Sequence, residues 1–293
     1  MDKAVFLGLN ALGDFLCTTP ALRAFRKQNP ETQIIYIVQS AGFTRILEHN
    51  PDIDLLVFSD RLFVQGMPDQ IPAWLRTMPI DLRKPATLFQ MDLKHACKSP
   101  DDLRRHMSEA FAKIVNVELD SKKPTVVLTE NDRRGARIFT DRPYVVFSTQ
   151  SVSNPERDDG RGRKKDWPVE NWRDLAERIH QTGAYDILTL GAENEQPLDI
   201  PHARSLYGLP IRTVAALVEE AACVVTLENG IGHLCAGLDA RAVVIYSNMM
   251  PIEWAGYGER PNARELYGDP LETTCDQVFA ALEEVIAPAA VLV

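Results

Sequence analysis

At 293 residues, 45% of them hydrophobic and 25% charged, the chain has the composition of a globular protein large enough for two domains with separate cores, which excludes disordered and fibrous architectures. Acidic residues outnumber basic ones 41 to 32, a formal net charge of −9, and this argues against a dedicated nucleic-acid binder that works by neutralising phosphates. The five cysteines (Cys17, Cys97, Cys223, Cys235 and Cys275) are scattered and form no C-x-x-C pair, so neither a disulfide framework nor a zinc knuckle is expected, and a reducing cytoplasm fits best.

The chain opens on Val5-Phe6-Leu7-Gly8-Leu9, a continuous apolar run that predicts a buried strand. A loop ending in Gly13-Asp14 follows, then a helical apolar periodicity from Phe15 through Leu22 to Phe25. Asn10, Gly13 and Asp14 interrupt the apolar start and no small-residue cleavage site follows, so it is not read as a signal peptide. Apolar runs at 34–38 and 54–58, separated by a helix-like 41–49, are the alternation of a parallel sheet covered on both faces. Between 60 and 99 the pattern dissolves into prolines, methionines and single aromatics, and no element is predicted. A helix over 101–115, with Leu103, Met107, Ala110, Phe111 and Ile114 on one face, a last strand at 124–128 and a short linking helix at 131–139 complete a first domain, 1–142.

A second βα series begins with a strand at 144–147 and a helix introduced by Trp167-Pro168, where proline suits the first helical turn. Strands at 185–190, 223–227 and 241–246, a helix at 211–222 and a closing helix at 272–286 make up a second domain, 143–293, with the closing helix able to pack back on the first. The fold class is therefore α/β, two Rossmann-like domains in tandem, and ligands are expected in a cleft at the carboxyl ends of the strands. No run of about 18 apolar residues occurs, so no membrane-spanning helix is predicted.

Three loops carry the candidate chemistry. The first, Gly8 to Asp14, includes Asn10 and Gly13 and does not match G-x-G-x-x-G, so a nicotinamide cofactor is not supported. Its carboxylate, Asp14, has two readings: a helix-end charge favouring the dipole, worth roughly 0.3–1 kcal/mol, or a base that takes a proton from an attacking hydroxyl, worth roughly 10²–10⁴ in rate. The second is the basic run from Arg157 to Lys165 before the Trp167 helix; Lys165, next to the helix start, is the best candidate to face a phosphate. Ser148, Thr149 and Ser151 are further donors, or residues that cap turns.

The third loop is Glu228-Asn229-Gly230-Ile231-Gly232-His233, where an apolar strand runs through a glycine-bracketed turn into a helix. First-turn amides at the positive end of a helix dipole suit an anion, the glycines permit close approach and positive φ, and His233 adds a hydrogen bond or a charge. The plainer reading is a strand-to-helix turn. No carboxylate cluster has metal-ligand spacing, and His49, His95, His106, His180 and His202 are expected on surfaces without partners.

Taken together, Leu12-Gly13-Asp14-Phe15-Leu16 with Thr19-Pro20-Ala21-Leu22-Arg23, then Lys165-Asp166-Trp167-Pro168, then Gly230 to Ala236, resemble glycosyltransferase family 9, which contains the heptosyltransferases of lipopolysaccharide core synthesis. Asn50-Pro51-Asp52-Ile53-Asp54 and Tyr257-Gly258 extend the likeness over most of the chain. The resemblance implies the GT-B fold and inverting, metal-independent sugar transfer from a nucleotide diphosphate donor such as ADP-heptose to a glycan or lipopolysaccharide-core hydroxyl. It implies no other cofactor and no obligate protein partner, and a cytoplasmic site of action with peripheral contact at the inner face of the bacterial inner membrane as an option. Position by position it makes Asp14 the base, Lys165 the phosphate-binding lysine, and Gly230 and His233 part of the donor-binding loop. Read from the loops themselves, Ser148, Thr149, Asn229, Ile231 and Gly232 are further donor-phosphate candidates, Glu228 faces the donor sugar or nucleotide, and Asn10 and Gly13 belong to the acceptor-side loop. Where the family carries Asp-Thr-Gly this chain has Glu228-Asn229-Gly230. Two rival readings stand beside it: a sugar-nucleotide epimerase on the same fold, and a degenerate member that binds a nucleotide sugar without catalysis.

Overall fold

The computed structural model describes residues 2–8, 11–39, 42–59, 86–97, 99–151, 154–258 and 260–286. The chain divides into two compact units, Met1–Lys122 and Lys123–Val293.

The first unit is built on a parallel sheet of order β3-β2-β1-β4, with β1 (Lys3–Gly8) and β2 (Gln33–Gln39) inside and β3 (Leu55–Ser59) and β4 (Ala86–Met91) at the edges. The inner strands are the continuous apolar runs, and their residues Val5 to Leu7 and Ile34 to Val38 are buried. Helix α1 (Leu12–Gln28) covers the sheet with Phe15, Leu16, Leu22 and Phe25, the last edge-on to Phe6 at 5.4 Å between ring centroids. Pro20 lies inside α1 and lacks the N–H that Leu16 O would accept; the Thr19 hydroxyl donates to that carbonyl instead, at 2.7 Å. Gly8 ends β1 where a Cβ would stand 2.4 Å from the Phe15 ring, so only glycine lets helix and strand approach this closely.

Five expectations for this half meet a different structure. The segment 41–49 holds a 3₁₀ helix, Gly42–Leu47. The single helix expected at 101–115 is a 3₁₀ turn, Pro100–Arg104, after α2 (Leu93–Ala96), followed by α3 (Met107–Ile114). The break falls at His106, which is fully buried and not on the surface. Its Nδ1 accepts from Ser108 N at 3.1 Å while its own N–H donates to Glu109, so it caps α3 in the manner of a capping box. Strand β4 lies where the pattern predicted nothing. As an edge strand with Thr87 and Leu88 exposed, it has no continuous apolar signature. Nor is 124–128 a strand: the carbonyls of Val127 and Leu128 accept from the side chains of Arg212 and Arg133 rather than from a ladder.

The second unit has a six-stranded parallel sheet of order β10-β9-β8-β5-β6-β7. Its strands are β5 (Tyr144–Ser148), β6 (Asp186–Gly191), β7 (Ala203–Tyr207), β8 (Cys223–Leu227), β9 (Ala242–Ser247) and β10 (Ala263–Gly268). The helices are α4 (Glu130–Arg137), α5 (Val169–Thr182), α6 (Ile211–Glu220), α7 (Gly230–Leu238), α8 (Ile252–Ala255) and α9 (Cys275–Ile286). In the core of this unit, Phe147 and Trp167 both pack on the Trp172 ring, one tilted and one edge-on, with centroid distances of 5.1 Å and 4.9 Å, and Trp167 Nε1 donates to Thr273 O at 2.7 Å. Helix α9 packs in this unit's own core through Val278, Leu282 and Val285.

The second unit begins well before the expected boundary at 142/143, because α4 is tied to α6. Arg212 Nε and a terminal nitrogen donate to the two Asp132 oxygens at 3.0 and 2.6 Å, and Arg133 grips Glu219 at 2.6 and 2.9 Å. Burial alone would raise the Asp132 carboxyl, but the bonds from Arg212 and Thr129 outweigh it and hold it well below the usual carboxylate range. A depressed carboxyl stabilises the fold above its unfolded value near 3.9 and loses that contribution as the pH falls through its folded value. Asp132→Asn, which removes the charge neutralising a buried arginine, is expected to cost about 3–5 kcal/mol. Urea unfolding at pH 7 measures the loss, and the difference from the natural chain should narrow in acid.

Candidate functional site

Parallel pairing sets the carboxyl ends of β9, β8 and β5 side by side, and each end is polar. Ser148 closes β5 and Thr149, Gln150 and Ser151 follow it, Glu228 and Asn229 follow β8, and Ser247 closes β9. Asn229 joins two of these ends. Its Oδ1 accepts from Ile231 N at 2.9 Å, Gly232 N at 3.4 Å and Thr226 Oγ1 at 3.1 Å, while Nδ2 donates to Ser148 Oγ at 3.0 Å and Gln150 O at 2.8 Å. This is an asparagine N-cap on α7. It corrects the expectation that all first-turn amides of the helix await an anion, since those of Ile231 and Gly232 already serve the cap. Gly230 and Gly232 are both helical and neither takes a positive φ; a Cβ on Gly232 would find its nearest neighbour at an ordinary 3.5 Å, on Val244.

Lys165 reaches the same place. Its backbone N–H is held by Asn154 Oδ1 at 2.8 Å, and its Nζ lies 3.1 Å from Glu228 Oε1, with both side chains about a tenth exposed. The other Glu228 oxygen accepts from Ser247 Oγ at 2.9 Å. Glu228 thus faces a lysine and a serine inside the phosphate candidate set. The remaining cations of the basic run are paired outside it: Arg157 with Asp269 at 2.5 Å, Arg161 with Asp159, Arg163 with Glu156 and Lys164 with Asp158. Thr149, 4% exposed, presents a buried Oγ1 with no hydrogen-bond partner among the described residues. A buried hydroxyl without a partner is costly, and this one lies in the chain between Ser148 and Gln150, both of which accept from the Asn229 cap of α7. His233 is buried in the first turn of α7 with its Nδ1 2.8 Å from the Tyr257 hydroxyl. Burial, and then the Lys165 charge, lower its pKa to about 4, which keeps the imidazole neutral at physiological pH.

In the first unit Asp14 lies in the first turn of α1, and its Oδ2 accepts from Ala11 N at 3.2 Å. Gly13 is in the same turn; Asn10 lies outside the described residues. Alongside β4, a cavity of about 580 Å³ is lined by Leu88, Phe89, Gln90, His95, Asp102 and Lys113 among others. His95 Nδ1 stands 2.9 Å from both Asp92 oxygens, so this histidine is partnered. His202 is partnered too, by Glu177 at 2.9 Å and by a parallel stack on His180 at 3.7 Å. The Cys97 thiol is raised by burial and by the charges of Asp102 and Asp14, against Lys113, which sets Asp14 and the cavity wall in one electrostatic neighbourhood.

The sequence profile of "Glycosyltransferase family 9 (heptosyltransferase)" matches residues 82–268, most of the chain. The chain belongs to glycosyltransferase family 9. Among curated relatives it is 27% identical over 184 residues to lipopolysaccharide heptosyltransferase 1 of Salmonella typhimurium, covering 61% of this chain and 55% of that protein. It is 29% identical over 220 residues to the protein of the same name from Escherichia coli O18:K1:H7, covering 71% of this chain and 62% of that one. The match therefore spans little more than half the length of these relatives. Among solved structures, E. coli ADP-heptose lps heptosyltransferase II superposes with a TM-score of 0.73 at 14% identity, covering 98% of both chains. E. coli heptosyltransferase WaaC with ADP gives 0.65 at 19% identity, covering 97% of this chain and 99% of that one. TibC from enterotoxigenic E. coli H10407, described as an iron-containing dodecameric glycosyltransferase, gives 0.59 at 16%, covering 90% of this chain and 62% of that one. These likenesses establish the fold, the two parallel-sheet α/β units of GT-B.

Within the family frame, several site residues escaped the sequence reading. Asn154 anchors Lys165, Ser247 shares Glu228, and Tyr257 meets His233. None had a local signal beyond the Tyr257-Gly258 pair, because each is brought in from a different part of the chain: the loop after β5, the end of β9 and the segment after α8. Among the described residues no group of three or more His, Cys, Asp or Glu side chains is arranged to hold a metal, and no helix is long and apolar enough to cross a membrane.

Proposed function

We propose that this family 9 protein is an inverting glycosyltransferase that moves a heptose-type sugar from a nucleotide diphosphate donor, ADP-heptose by the names of its relatives, to a hydroxyl of a lipopolysaccharide-core acceptor. One observation carries the reading: the Lys165 ammonium meets Glu228, and Ser148 and Gln150 at the end of β5 meet Asn229, so a lysine and the segment bearing the buried Thr149 hydroxyl converge on the residues that open α7. That is a binding place for a diphosphate. The second unit holds the donor there, and the first supplies Asp14 and, in the cavity alongside β4, a mixed apolar and polar wall suited to a sugar acceptor.

In the step itself the acceptor oxygen bonds to the anomeric carbon from the face opposite the diphosphate, and the carbon–oxygen bond to the diphosphate breaks. The hydroxyl proton passes to Asp14, and the departing nucleotide diphosphate carries away the bonding pair. Charge gathering on it is met by Lys165, the Thr149 hydroxyl and the positive end of α7. Lys165 is paired with Glu228, so a phosphate meets a lysine already oriented. We extend the proposal to turnover without a metal and to peripheral contact with the inner membrane through the acceptor.

Thermal unfolding with ADP is the first test: a ligand that binds only the native state adds about 2.7 kcal/mol at a hundredfold excess over its Kd. The melting temperature should rise with ADP and ADP-heptose. Sugar transfer to heptose-less lipopolysaccharide should then proceed in EDTA with its anomeric configuration inverted. No shift with any nucleotide diphosphate removes the donor site, activity abolished by EDTA and restored by a metal removes metal independence, and an isomerised sugar formed without acceptor makes the protein an epimerase.

A further inference from the structure

His233, Tyr257 and Arg260 form a chain of contacts running away from the N-terminus of α7. The Tyr257 hydroxyl is 2.8 Å from His233 Nδ1, and the two rings meet edge to face at 5.7 Å between centroids and 77°. Over the face of Tyr257 lies the guanidinium of Arg260, its carbon 5.7 Å from the ring centroid. All three side-chain nitrogens of Arg260 are buried and have no hydrogen-bond partner among the described residues, although Glu265 is within reach of its charge. A guanidinium carries five N–H donors and is ordinarily matched by carboxylate, phosphate or carbonyl when taken out of water. Here it rests against an aromatic face, an attraction that is strongest when the cation is desolvated.

The segment bearing Tyr257 is pinned. Glu265 accepts from Tyr257 N at 2.8 Å and from Gly258 N at 3.3 Å, and Gly258 turns the chain with φ +75°. Nothing in the phosphate contacts described above requires this construction, yet it delivers one hydroxyl to one ring nitrogen.

We propose that Tyr257, held in place and polarised by Arg260, donates its hydroxyl hydrogen to Nδ1 of His233 and so fixes the imidazole proton on Nε2, making His233 a neutral hydrogen-bond donor to the anion at the N-terminus of α7. A neutral imidazole has one donor and one acceptor nitrogen, and the partner of one nitrogen decides the role of the other. A phenol is the stronger acid of this pair and the imidazole nitrogen the better acceptor; a cation over the ring stabilises the electron density drawn toward its face and strengthens the donation. The opposite tautomer would turn the Nε2 lone pair toward a phosphate oxygen, two acceptors face to face. Burial keeps the ring neutral, so the tautomer matters. A donor oriented in advance needs no rearrangement as charge develops on the leaving diphosphate. Tyr257 and Arg260 are positioning residues, and the inference rests on the donor site proposed above.

Two-bond ¹H–¹⁵N correlation of histidine-labelled full-length protein at pH 7 reads the tautomer directly, and His233 should carry its proton on Nε2. Calorimetry with ADP then follows the linkage. His233→Ala should weaken ADP binding roughly 10–100-fold, the size of one hydrogen bond to a charged group, and Tyr257→Phe, which keeps the ring and its cation, roughly threefold or more. The variant carrying both changes should bind ADP no worse than His233→Ala alone, because the tyrosine acts through the histidine. Arg260→Met should weaken ADP in the same direction and add nothing to Tyr257→Phe. A proton found on Nδ1 in the natural protein, or losses that simply add, overturns the proposal. Failure of the natural protein to bind ADP removes the donor site instead, and leaves the spectroscopic result to decide the tautomer.

Discussion

Lys165→Met is expected to lower turnover roughly 10²–10³-fold, the usual cost of removing one preorganised electrostatic contact to developing charge. The side chain is held at both ends: Asn154 fixes its backbone, and Glu228 receives its ammonium at 3.1 Å. Because that pair is buried, methionine also leaves a carboxylate inside without its cation, which typically costs about 3–5 kcal/mol of stability. The two effects separate in the double variant Lys165→Met with Glu228→Gln. Stability should return, since the stranded charge is gone and the amide still meets Ser247, while turnover and ADP affinity should stay low. Steady-state kinetics, calorimetry and urea unfolding on the three proteins measure this. If the double variant regains turnover along with stability, Lys165 serves only to neutralise Glu228, and the diphosphate is bound elsewhere.

Asp14→Asn is expected to reduce turnover roughly 10²–10⁴-fold, the range for loss of a general base, with ADP affinity unchanged because the donor contacts lie on the other unit. Asparagine retains an oxygen able to accept from Ala11 N, as Asp14 Oδ2 does at 3.2 Å. The stability cost is then confined to the charge–dipole interaction, roughly 0.3–1 kcal/mol. The substitution therefore divides the two readings of this carboxylate cleanly. A small fall in unfolding free energy with near-complete loss of transfer makes it the base. The same small fall with turnover retained makes it a helix-end charge and nothing more.

The inner strands of both sheets were legible because a strand buried on both faces must be continuously apolar, as Val5-Phe6-Leu7 and Cys223-Val224-Val225 are. The outer strands β4, β7 and β10 were not, since a strand with one open edge tolerates Thr87, Arg204 and Glu265 and loses its periodicity. His106 read as a surface histidine because capping the helix that starts after it is a property of backbone geometry and leaves little trace in composition. The segment 124–128 read as a strand because its apolar residues are real, but the partners of its carbonyls are arginine side chains on α4 and α6.

At the site, the residue types were visible in order along the chain: a carboxylate opening the first helix, a lysine before the Trp167 helix, and an asparagine and glycines at the start of α7. Local chemistry dictates those features, for each depends on neighbours within one turn or one loop. What Asn229, Glu228 and His233 do there was decided only by the tertiary structure. Their partners Ser148, at the end of β5, Lys165, in the loop before α5, and Tyr257, in the segment after α8, are 81, 63 and 24 residues away. A hydrogen bond between such positions is set by parallel pairing and right-handed crossovers, so the sheet had to form before a helix cap, a shared lysine and an oriented imidazole could be told apart.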